Sequence, residues 1–67
     1  MDEDFHLDNF TAGTHLVAAT FADARALARD PANVGPEDNW IIWQYVGTGI
    51  AAAPVRLMGG RGPSVLP

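Results

Sequence analysis

The sequence predicts a small, mainly α-helical fold, and three observations carry that expectation. An alanine- and leucine-rich run from Thr11 to Arg29 sets Leu16, Val17, Phe21, Ala24, Leu27 and Ala28 roughly along one helix face. Further on, Pro36-Glu37-Asp38 places a proline and two acids where the first turn of a second helix would stand. Gly47 then sits where that helix would need its C-terminal cap. The expected architecture is one amphipathic helix over about 11–29, a short aromatic helix over about 36–46, and extended N- and C-terminal arms. For the second element a β-hairpin over 40–58 is the alternative. Trp40-Ile41-Ile42-Trp43-Gln44-Tyr45-Val46 is β-branched and aromatic, and Gly47-Thr48-Gly49 could turn the chain.

Sixty-seven residues make one domain at most. It divides into an arm (1–10), a helical core (11–53) and an extended tail (54–67). A chain this short buries only about 60% of its unfolded surface, so it leans on disulfides, metals, partners or very good packing. With no cysteine, disulfides and thiolate metal sites drop out.

Along the arm, Phe5 and Leu7 alternate with Asp4, His6 and Asp8, which suits a short extended segment laid on a surface. Thr11 or Thr14 can supply the N-cap hydroxyl of the main helix, with His15 in its first turn. Asp30-Pro31 stops that helix, because the residue before a proline is pushed out of the helical region. Packing Leu16, Phe21 and Leu27 against Ile42, Val46 and Ile50 would give a thin two-layer core. Such a core leaves aromatic surface over.

The charge balance excludes one class of partner. Eight acids face four arginines and no lysine, and Asp2, Glu3, Asp4, Asp8 and Asp23 all precede the first arginine. An acidic chain without a basic stripe repels phosphate backbones, so no nucleic-acid partner is expected. The start is acidic where a secretory signal needs a basic region, so no signal peptide is expected either.

The motifs that could carry chemistry each lack a part. Gly47-Thr48-Gly49-Ile50-Ala51-Ala52 has the spacing of a dinucleotide loop, but Pro54 interrupts the helix it needs and no acid follows Ala52. The glycines fit a turn better, and no cofactor is expected. Asp4, His6 and Asp8 could face one way on an extended backbone, yet a calcium loop starting at Asp4 meets Asn9 where glycine is required. No metal site is expected. His6 and His15 are the whole histidine supply, and Ser64, the only serine, lies outside any nucleophile elbow. No catalytic residues are expected.

The chain thus reads as a non-enzymatic structural or accessory subunit that docks on a larger protein assembly, such as a virion shell or multi-subunit complex, or on copies of itself. Trp40, Trp43 and Tyr45 are the expected interface anchors, with Phe5, Val65 and Leu66 pinning the arms. The alternative is a small single-span membrane subunit using residues 40–55. Those sixteen uncharged residues would reach about 24 Å as a helix against about 30 Å of hydrocarbon, and Gln44, Gly47, Thr48, Gly49 and Pro54 weaken them further.

Overall fold

The computed structural model describes residues 4–65. It corrects the mainly helical expectation: the chain is a four-stranded antiparallel sheet with one short helix on one face. The strands are β1 (Phe5–Asn9), β2 (Thr14–Ala18), β3 (Asn39–Val46) and β4 (Ala53–Arg61), in spatial order β2-β1-β3-β4. Helix α1 spans Phe21–Arg29, between β2 and β3.

The expected arm is an interior strand. Phe5 pairs with Ala18 on one side and with Gln44 on the other, and Asn9 with Thr14 and Trp40. Its period-2 pattern is the pleat of a sheet: Leu7 and Asn9 are buried, whereas His6 and Asp8 point to the opposite face. Neighbours on both sides supply the burial that a surface arm would lack.

The expected helix over 11–29 survives only in its last half. Gly13 takes a positive φ of 73° and donates to the Asn9 carbonyl at 2.8 Å, closing the loop between β1 and β2. Thr11 does not cap a helix; its hydroxyl accepts from Asn39 N–H at 2.9 Å. Leu16 and Val17, which a helix would set on one face, point to opposite sides of β2, and His15 lies on β2 rather than in a helical turn. The N-cap is Thr20, whose Oγ1 accepts from Asp23 N–H at 3.1 Å. Asp30 ends the helix in extended conformation, followed by Pro31. Ala24 and Ala28 let the helix sit close on the sheet, with no exposed surface on either.

No helix forms over 36–46. Gly35 to Asp38 close a turn instead: Asp38 N–H donates to the Gly35 carbonyl at 3.1 Å, and the Asp38 carboxylate accepts from Gly35 N–H at 2.8 Å. The proline and acids that resembled a helix start are turn residues, and the β-branched run behind them becomes β3. The hairpin over 40–58, set second from sequence, is what forms, as β3 and β4. Gly47 (φ 108°) and Gly49 (φ 56°) turn the chain, and a Cβ on Gly47 would meet the Ala51 carbonyl oxygen at 2.9 Å. The dinucleotide-like spacing belongs to that connection. Residues 40–55 therefore run as strand, turn and strand, and no helix among the described residues is long and apolar enough to cross a membrane.

Most of the tail is strand β4, with a bulge that skips Leu57 between Met58, opposite Ile42, and Arg56, opposite Trp43. Pro54 and the bulge blunt this outer edge against further strand pairing. Beyond β4 the chain folds back: Ser64 N–H donates to the Ala28 carbonyl at 2.9 Å. Leu66 lies outside the described residues.

The core lies between α1 and the sheet: Leu7, Ala18, Ala24, Ala28, Val34, Trp40 and Ile42, with Phe5, Leu16, Phe21, Leu27 and Met58 packed around it. Val46 and Ile50, placed in the core from sequence, are exposed. One polar side chain joins the core. Asn9, 2% exposed, donates to the Asn33 carbonyl at 3.0 Å and to the Asp38 carboxylate at 2.9 Å, and accepts from Ala12 N–H at 3.0 Å.

The Asn9 amide, and then Gly35 N–H, hold the Asp38 carboxyl below the usual aspartate range. A lowered folded-state pKa stabilises the fold above the unfolded value, and the gain is lost as pH falls through the folded one. Acid titration followed by far-UV circular dichroism should thus show wild-type stability declining below about pH 4. In Asp38→Asn that part of the acid dependence should be missing; an unchanged profile would mean the carboxylate is not held this way.

Candidate functional site

One face of the sheet carries α1; the other carries no element among the described residues. Strand alternation decides what stands there: His6 and Asp8 from β1, His15 and Val17 from β2, Ile41, Trp43 and Tyr45 from β3, Pro54 and Arg56 from β4. Trp40, Ile42 and Gln44 alternate with the β3 set and face the helix. The two tryptophans, neighbours if the segment were helical, are thereby split between core and open face.

The aromatic groups on this face are in register contact. The ring planes of His6 and Trp43 lie 9° apart with centroids at 4.1 Å, a parallel stack. Tyr45 meets Trp43 edge-on, at 4.9 Å and 88°. His6 Nδ1 and His15 Nε2 are 2.8 Å apart, with centroids at 5.0 Å and planes 7° apart. Those values describe two imidazoles side by side in nearly one plane, joined by an N–H···N bond, rather than one above the other. One nitrogen must carry the hydrogen and the other the lone pair.

The Trp43 indole N–H donates to the Asp8 carboxylate. Beside the indole opens a groove of about 460 Å³, lined by Asp8, Phe10, Ile41, Trp43, Tyr45, Pro54 and Arg56. Arg56 lies along the face beside Gly59, where a Cβ would come within 2.8 Å of its Nη2. Apolar walls thus hold one carboxylate, on the β1 side, and one guanidinium, on the β4 side. Neither has an ion-pair partner among the described residues; Arg61, by contrast, pairs with Glu37.

The residues singled out from sequence scatter. Trp43 and Tyr45 stand together on the open face, Tyr45 55% exposed. Trp40 does not: it is 3% exposed, with its indole N–H donated to the Gly62 carbonyl at 2.8 Å, so it belongs to the core. Phe5 faces the helix, its ring 6.1 Å from that of Phe21. Val65 is exposed near the end of the described chain. Sequence reasoning missed Phe10, Ile41, Asp8, His15 and Arg56 as a group. The signal available was the alternation of Ile41, Trp43 and Tyr45 with Trp40, Ile42 and Gln44.

Among the described residues no cluster of three or more His, Asp or Glu side chains is placed to hold a metal. The histidine pair spends a ring nitrogen of each on the other, and no serine stands on this face. The face offers flat aromatic surface with two opposite charges. No family model matches the chain, and neither the curated proteins nor the solved structures contain a match to it.

Proposed function

We propose that this chain is a non-enzymatic structural or accessory subunit that docks on a protein partner within an assembly through the open face of its sheet. The observation that supports the reading is the bare aromatic face, with Trp43, Tyr45 and the His6–His15 pair in contact across three strands. Two-layer domains cover one sheet face with helices and leave the other to solvent when it is polar. Here the uncovered face carries residue types enriched at binding hot spots, around a groove with few polar groups.

Tyr45→Asp tests this with little cost to the fold, since Tyr45 is more than half exposed. In a size-fractionated extract of the source, the wild-type chain should travel with a species well above its own mass. The variant should lose about tenfold or more of that association, the scale of one aromatic hot spot, while keeping its circular dichroism melt. A wild-type chain that travels alone, or a variant that travels with it, would overturn the reading.

A further inference from the structure

We propose, resting on the docking reading above, that the occupant of the open face is a second copy of this chain, seated face to face across a two-fold axis that runs along β3. Asp8 stands on β1 and Arg56 on β4, with β3 between them, and neither has an ion-pair partner among the described residues. A two-fold axis along β3, in the plane of the interface, lays β1 of each copy over β4 of the other. Asp8 of each copy then meets Arg56 of its mate, and symmetry makes the contact twice.

Two further observations agree with this occupant. An axis along the strands keeps the strand directions of the two sheets aligned, the arrangement in which sheet faces pack with a filled layer about 10 Å thick between them. Trp43 and Tyr45 lie on the strand at the axis, so each aromatic pair meets its own copy and the groove beside it is closed.

Charge explains why the face would need this pair. Each copy has a formal net charge of −4, so unspecific contact between copies is opposed. Reciprocal Asp8–Arg56 pairs place opposite charges where the copies touch and fix their register. The blunted β4 edge disfavours growth of the sheet on that side instead.

Sedimentation equilibrium on the purified chain, with circular dichroism to confirm folding, tests the proposal. Wild type should be a dimer. Arg56→Asp and Asp8→Arg should each bring like charges together at both contacts and raise the dissociation constant at least a hundredfold. Mixing the two folded single variants restores opposite charges at both contacts, and a mixed dimer should form. Should Asp8→Arg fail to fold for want of the Trp43 hydrogen bond, wild type and Arg56→Asp carry the test. A folded wild-type monomer up to several hundred micromolar would overturn the second copy as occupant and point to a different protein; the extract test with Tyr45→Asp then judges the docking reading separately. A wild-type dimer indifferent to Arg56→Asp would overturn this geometry.

Discussion

Trp40→Ala should abolish the cooperative thermal transition of this chain. Trp40 pairs in register with Asn9 on β1 and Gly60 on β4, so its indole spans the middle of the covered face. The indole lies against Gly60, where a Cβ would be in ordinary contact with it, 3.6 Å from Cζ2. Removing a buried indole leaves a cavity and costs about 3–5 kcal/mol. The whole stability of a 67-residue domain is of order 3–10 kcal/mol at about 0.05–0.15 per residue. The loss therefore matches most of what there is. Trp40→Phe should be milder: it fills part of the space but strands the Gly62 carbonyl, at about 1–3 kcal/mol. Melts followed by far-UV circular dichroism order the three chains. Trp40→Ala melting within a few degrees of wild type would show that the indole is not the core's main support.

The second large effect is expected at Asn9. Its amide ties the β1–β2 loop through Ala12, the loop after α1 through Asn33, and the turn before β3 through Asp38. Asn9→Ala removes three hydrogen bonds at once and leaves their partners to find water or go unpaired, a cost of about 2–4 kcal/mol. Asn9→Asp should be the more instructive variant. It sets a carboxylate against that of Asp38, so at neutral pH like charges repel, and the variant should gain stability on mild acidification as one carboxyl takes up a proton. Wild type should change little over that interval, since its own loss begins only below about pH 4. Urea midpoints at pH 7 and pH 5 give the comparison; an Asn9→Asp midpoint unchanged between them would mean that the two groups do not meet.

What the sequence showed and hid divides by distance along the chain. The helix stop at Asp30-Pro31 is local and stands where local rules put it, whereas Gly47, expected first as a helix cap, turns the chain with Gly49 as the hairpin alternative had it. The run from Thr11 to Ala19 misled because alanine favours helix when judged alone, whereas its state here is set by pairing with β1. That pairing rests in turn on β3, since Phe5 opposite Gln44 joins residues far apart in sequence, and no window of neighbours contains both. The open face shows the same division. Trp43 and Tyr45 were legible as surplus aromatics. Trp40 was not separable from them until the period of the segment was known, because three residues apart means one face on a helix and opposite faces on a strand. Arg56 was hidden most deeply. Only the bulge at Leu57 shifts the phase of β4 so that Arg56 stands opposite Trp43.

The placement of β1 between β2 and β3 has a consequence for how the chain reaches its fold. The β1–β2 hairpin needs only residues 5–18 and can form early, but alone it is a two-stranded ribbon with one apolar face open, marginal in water. The sheet closes only when β3 arrives, and the Trp40 indole has no acceptor until the chain extends to Gly62. During synthesis, then, β1 gains its second partner only with residues 40–44, and the Trp40 indole its acceptor only with Gly62. Topologies of this kind, dominated by contacts between distant residues, fold slowly for their size, on the millisecond-to-second scale.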